Sequence, residues 1–239
     1  MYLLALHPEW QEKLREEARG PITEERLSSL PLHHCVLLES LRLFPPVPAI
    51  VHHVAVRTQL GRYSLPCDMG IHIPFGMLHF NKEWWGEDAD CFRPQRFAAK
   101  PSSTPHACHP YGHILILLSS YYGGGVDTDG MSAACKEPMA FLPFSHGPRN
   151  CVGRAFALIE AKIILSHLLG SFSWTLSPGY VHSTQVFFTL RPAKGMHLNL
   201  VRIWRLSGYQ LGDCMLICLY ACMIDEGLGT TTLQCYNQK

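Results

Sequence analysis

The stretch Phe144–Ser145–His146–Gly147–Pro148–Arg149–Asn150–Cys151–Val152–Gly153 decides how this chain is read. It sets one thiol, Cys151, in a turn shaped by Gly147 and Pro148 and follows it with Gly153. An apolar helical pattern then runs from Arg154 to Leu169 and stops at Gly170. A cysteine at a helix N-terminus faces unbonded backbone N–H groups and the positive end of the dipole, so its thiolate is favoured. Such a thiolate can attack an electrophile or ligate a metal; a buried cysteine that only packs is the third reading. Attack needs a general base, and the loop offers only His146, five residues earlier.

Ligation to haem iron fits the neighbours of Cys151 better. A thiolate under haem must be shielded from water and held by backbone N–H donors that soften its charge. Gly147 and Gly153 let the backbone pass close to a flat macrocycle, and Phe144 can cover the sulfur side. Arg149 can reach a haem propionate, because a guanidinium matches the carboxylate fork. Two further motifs precede the loop. Glu39–Ser40–Leu41–Arg42 puts a carboxylate and a guanidinium at i and i+3 on one helix face. Phe92–Arg93–Pro94–Gln95–Arg96–Phe97 supplies Arg96, which completes a Glu39–Arg42–Arg96 cluster if that segment folds back on the helix. One buried carboxylate serving two guanidiniums makes sense only as a fixed network, since any unpaired charge there would be costly.

These three motifs, in this order, resemble the cytochrome P-450 family of haem-thiolate monooxygenases. Glu39 and Arg42 match its Glu-x-x-Arg helix. Arg96 matches the arginine of its Pro-x-Arg-Phe meander, with Gln95 where glutamate is commoner. Phe144, Gly147, Arg149, Cys151 and Gly153 match its haem-binding loop, and Leu43–Pro48 and Trp85–Gly86 also look like the family. The resemblance covers about residues 1–202 and looks closest to eukaryotic microsomal members. It implies a mainly α fold with small β sheets, of which this chain is the C-terminal, proximal-haem part. It implies haem b with Cys151 as axial ligand and Arg149 as a propionate partner. His52 or His53 falls where the family often has an arginine for the second propionate. The resemblance further implies oxygen insertion into an apolar small molecule, electrons from NADPH through a partner reductase, and a place at the cytoplasmic face of the endoplasmic reticulum.

The bulk properties agree with an intracellular globular chain. There are 239 residues, 47% hydrophobic and 16% charged, enough for a real core. A net charge of +1 argues against a nucleic-acid partner drawn by phosphate attraction. The ten cysteines follow no repeating spacing, and His7, Pro8 and Glu9 interrupt any secretory signal, so the thiols are read as reduced. No stretch reaches the roughly 20 apolar residues of a membrane span.

Pattern and punctuation place the elements. Residues 2–19 read as one helix ended by Gly20–Pro21, Thr23 caps a short helix, and Leu32–Leu43 is a strong helix stopped by Pro45–Pro46. Residues 49–73 read as short strands with a turn at Asp68–Gly70, residues 77–83 as a short helix and residues 86–97 as a loop. Phe156, Ile159, Ile163 and Ile164 are expected to line the apolar face of the helix after Cys151. Val186–Leu190 and Met196–Val201 are expected to pair as a hairpin across residues 192–195.

Some parts fall outside the family pattern. The 38 residues before Glu39 read as two shorter helices and a linker. The family's distal oxygen-activating helix and membrane anchor are therefore expected to be absent, leaving a truncated, non-catalytic product or an interaction module as the alternative reading. An insert near residues 105–137 and a tail over 203–239 look foreign to the domain. His106, Cys108, His109 and His113 have zinc-ligand chemistry but no paired spacing. Cys214, Cys218 and Cys222 share a helix face and read as a small apolar patch.

Overall fold

The computed structural model describes residues 1–98, 135, 138–203 and 234–236. Proline cuts the expected first helix in two. The backbone at His7, just before Pro8, leaves helical geometry at φ −127° and ψ 71°, so α1 covers Tyr2–Leu6 and α2 covers Pro8–Glu17. The pyrrolidine ring disfavours the α region at the residue before it, yet suits the first helical position. Thr23 caps α3 (Glu24–Ser28), its Oγ1 accepting from Arg26 N–H. Pro31 opens α4 (Pro31–Leu43).

Small antiparallel pairs follow. β1 (Ile50–His53) pairs with β4 (Gly70–Ile73), and between them β2 (Thr58–Leu60) pairs with β3 (Tyr63–Leu65). The helix expected over 77–83 is two short ones, α5 (Phe75–His79) and α6 (Lys82–Trp85), split where Asn81 caps α6 by accepting from Glu83 N–H. A 3-10 turn at Pro94–Phe97 lies on α4.

After the cysteine loop, α7 runs Arg154–Ser171, past Gly170, and leads straight into β5 (Phe172–Leu176). The expected hairpin is wrong. β6 (Thr184–Val186) turns at Phe187–Thr189 and pairs with β7 (Leu190–Pro192), while β8 (Leu198–Arg202) pairs with β5. Trp174 and Leu198 carry the burial that selects this pairing, since both sit in the same core cluster. β9 (Gln234–Tyr236) adds a parallel strand to β8, so part of the tail joins this sheet. The proposed zinc ligands at 106–113 and the cysteine stripe at 214–222 lie outside the described residues.

One core cluster joins α1, α2, α4, α7 and the β5–β8 sheet through Leu4, Trp10, Leu14, Val36, Leu165, Leu169, Trp174 and Leu198. The buried side of α7 is Lys162, Leu165, Ser166 and Leu169, not the expected face from Phe156, which is 70% exposed. This helix is apolar nearly all round, so its sequence does not say which stripe faces the core.

Polar bonds from α2 fix the neighbours. Gln11 donates to Leu4 O and Trp174 O and accepts from Trp174 N–H. Arg15 donates to Leu169 O and Phe172 O, serving carbonyls at the end of α7. The fold is mainly α with small β sheets.

Candidate functional site

The site is built from the first turn of α4 outward. Pro31 lacks an N–H, and the Glu17 carboxylate accepts from the next two amides, Leu32 at 2.8 Å and His33 at 2.9 Å. His33 Nδ1 lies 2.7 Å from the same carboxylate, and its Nε2 meets Ser166 Oγ on α7 at 3.3 Å. Burial works to raise the Glu17 pKa, but the bonds from His33 and the two amides prevail and hold it below the ordinary value. This clip fixes α4 against α7, the helix that follows the Cys151 loop.

Three turns along α4, Arg42 donates to both carboxylate oxygens of Glu39, Nε at 2.8 Å and Nη2 at 2.9 Å. Its remaining N–H groups reach His79 O at 2.8 Å, Cys91 O at 3.2 Å and Ala89 O. Arg93 N–H donates to Glu39 Oε1 at 2.8 Å. Arg96 Nε stands 3.4 Å from that oxygen, an ion-pair contact without hydrogen-bond geometry. The rest of the Arg96 guanidinium holds Trp85 O, Asp88 O and the Asp88 carboxylate. Bonds from Arg93 and Arg96 draw the Asp88 carboxyl down to about 2. The structure therefore brings Glu39, Arg42 and Arg96 together, with Glu39 and Arg42 wholly buried.

His79, which sequence reading passed over, lies in this network. Its Nδ1 faces Arg42 O at 3.0 Å, and its Nε2 accepts from Leu142 N–H at 3.1 Å. Burial pushes its pKa down to about 4, and the Arg42 charge adds to the shift. The only sequence signal was a histidine in the apolar run Phe75–His79.

Leu142 begins the turn that carries the thiol. Ser145 N–H donates to Leu142 O at 3.1 Å, Asn150 N–H to Gly147 O at 3.1 Å, and Cys151 N–H to Phe144 O at 2.8 Å. Ser145 at φ +63° and Gly147 at φ +86° supply the left-handed bends. Gly153 precedes α7, so Cys151 lies three residues before Arg154, outside the helix and not within its first turn. Its thiol is exposed, which removes the packed-cysteine reading. Cys35 shows the contrast: burial pushes that thiol up to about 11. A Cβ added at Gly153 would stand 3.8 Å from the Cys151 sulfur. Phe144 is half-buried and closes the loop through its carbonyl, and Arg149 is exposed.

His52 and His53 are exposed at the end of β1, opposite Ile71 and Gly70. Successive strand residues point to opposite faces, so the two cannot serve the same side. Among the described residues, no hydrogen bond or ion pair joins either to the cysteine loop.

Comparisons with known proteins give the family and the fold. The sequence model of the Cytochrome P450 family matches residues 1–199. The chain is 34% identical to Cytochrome P450 714C3 of Oryza sativa subsp. japonica over 85% of its own length and 35% of that protein. It is 36% identical to secologanin synthase 2 of Catharanthus roseus, over 85% of its length and 34% of that protein. A solved structure, retinoic acid bound cyanobacterial CYP120A1, superposes with a TM-score of 0.64 at 25% identity, covering 84% of this chain and 40% of that one. The chain thus spans about a third of the length of the curated relatives it matches. With the family model covering most of its residues, the chain belongs to the cytochrome P450 family.

Proposed function

We propose that this chain holds haem iron on Cys151 and forms the proximal wall of a monooxygenase site. The observation that carries the reading is the exposed Cys151 thiol at the end of a loop braced by its own N–H bond to Phe144 O. The residues around it fit the group. Gly153 leaves free the space beside the sulfur that a Cβ would fill, and Val152 and Phe156, both just after the cysteine in sequence, expose apolar surface, at 96% and 70%. Such exposed apolar side chains suit a largely apolar macrocycle.

Bound haem would supply oxygen activation, with the thiolate donating electron density to the iron. The chain's own residues do the rest. Cys151 binds. Gly147 and Gly153 keep the backbone thin beneath the ring. Arg149 and one of His52 and His53 orient the propionates, and the Glu39–Arg42–Arg96 network fixes the helix and meander that support the loop. By family, the electrons come from NADPH through a reductase, the substrate is an apolar small molecule, and the place is the cytoplasmic face of the endoplasmic reticulum. Relatives named cytokinin hydroxylase and 7-deoxyloganic acid hydroxylase point to hydroxylation as the reaction class. Among the described residues no helix is long and apolar enough to cross a membrane.

A second reading rests on the span of about a third of the relatives' length: the chain alone binds haem weakly and does not turn over. Haem titration of the purified chain tests both. A ferrous carbonyl spectrum with the red-shifted Soret band of thiolate ligation, lost in Cys151→Ala, supports the haem site; an unchanged spectrum in that variant overturns it. Steady substrate turnover with NADPH and reductase would overturn the second reading.

A further inference from the structure

His79 faces two backbone groups of opposite kind. Arg42 O can only accept and Leu142 N–H can only donate. The imidazole is thereby fixed as the neutral tautomer with its proton on Nδ1, donating to Arg42 O at 3.0 Å and accepting from Leu142 N–H at 3.1 Å. The contact with Arg42 is reciprocal, since the Arg42 guanidinium donates back to His79 O at 2.8 Å. The ring is fully shielded and packed near Phe75 and Phe141. Leu142 then passes the constraint on: its carbonyl takes Ser145 N–H, and the next turn closes through Phe144 O and Cys151 N–H.

We propose that His79 is the positioning residue that couples the buried Glu39–Arg42 network to the cysteine loop and so sets where the Cys151 sulfur stands. The inference rests on the reading of Cys151 as haem ligand for its consequence, but the coupling itself is a property of the chain without haem. It acts on the path from Arg42 to Leu142 to Phe144, Nδ1 tying the ring to Arg42 and Nε2 holding Leu142 directly. No other natural side chain has a donor and an acceptor in this arrangement, so substitutions divide the function. Asn places a donor near the Nδ1 position and leaves Leu142 N–H without a partner. Gln reaches the Nε2 position with an acceptor oxygen and leaves Arg42 O without one.

The test compares wild type, His79→Asn and His79→Gln as full chains. Hydrogen exchange read at residues 142–151 without haem should speed up about tenfold in His79→Asn, the loss of one buried hydrogen bond. It should change much less in His79→Gln, although both variants lose stability. With haem added, the thiolate-ligated fraction should follow the same order, wild type above Gln above Asn. Equal exchange over residues 142–151 in the two variants, or protection equal to wild type in both, overturns the coupling. If exchange divides as expected but wild type itself shows no thiolate band, the coupling stands and the haem reading fails.

Discussion

Glu39 and Arg42 meet through two parallel N–H···O bonds, at 2.8 and 2.9 Å, with neither side chain exposed to solvent. The pair is the fixed point from which the meander, α5 and the cysteine loop are hung. Burying two charges costs several kcal/mol each, and only full use of their bonding capacity offsets it. Arg42 meets that condition with bonds to His79 O, Ala89 O and Cys91 O besides Glu39. Breaking one side is therefore expensive. Glu39→Gln leaves the buried Arg42 guanidinium without its carboxylate, while Arg96 keeps Asp88, and Arg42→Lys loses the fork and most of the carbonyl bonds. Each is expected to lower unfolding stability by about 3–5 kcal/mol, measured by urea denaturation of the two variants. A loss near zero in either would mean that the network adds no net support.

How much of this was legible follows from what each residue's role depends on. Glu39, Arg42, Arg96 and the Cys151 loop sit in local motifs with fixed spacing, so their types and order were enough to single them out. The fold class and the helix start at Arg154 were legible too, and the start at Leu32 fell one residue inside the helix that Pro31 opens, but the break that Pro8 makes was not drawn. The pairing of β5 with β8 was missed because it joins segments separated by the β6–β7 hairpin. Local turn residues at 192–195 pointed to the wrong partner. His79 and the Glu17–His33–Ser166 clip were missed for the same reason: each is defined by contacts across long sequence distances. The buried stripe of α7 was misjudged because neighbouring apolar residues lie on every side of it, and only packing chooses among them.

The two loop glycines separate folding from ligand space. Gly147 sits at φ +86° with nothing within 4 Å of an added Cβ, so Gly147→Ala meets only backbone strain. It should cost about 1–2 kcal/mol of stability. Gly153 has φ −84°, which any residue adopts, but an added Cβ would stand 3.8 Å from the Cys151 sulfur. Gly153→Ala should keep its unfolding free energy within about 0.5 kcal/mol of wild type and lose haem affinity. Thermal unfolding and haem titration of the two variants read these effects side by side. The reverse pattern, a stable Gly147→Ala and an unstable Gly153→Ala, would contradict the backbone geometry.

His52 and His53 offer a simpler contrast. They are neighbours on β1 and both exposed, so strand alternation gives them opposite faces. At most one can reach a propionate in the same bound haem. Single replacements by alanine are expected to weaken haem binding roughly three- to fivefold at one position, as for a partly exposed ion pair, and to leave the other unchanged. Equal losses at both positions in a haem titration would mean that they act through the strand and not by contact.

Acid should loosen the same framework, and the direction follows from the shifts. His79 has a folded pKa of about 4 against an ordinary 6.5, and Glu17 is held below its ordinary 4.5. Between pH 6.5 and about 4 the unfolded chain binds a proton at position 79 that the native protein refuses. Stability is therefore fully present above pH 6.5 and falls as pH drops, by at most about 1.4 kcal/mol per unit from this residue. Glu17 acts in the same direction at the acid end, where its carboxylate must be protonated in the unfolded chain before the folded one. His182, lowered by burial, adds to the slope as well, so His79's share is isolated by comparison with a variant. His79→Gln should be less stable than wild type at pH 7 yet lose less further stability between pH 6.5 and 5. Urea unfolding of both proteins at pH 7, 6 and 5 reads this difference. Parallel curves would show that His79 is not held neutral by the contacts with Arg42 and Leu142.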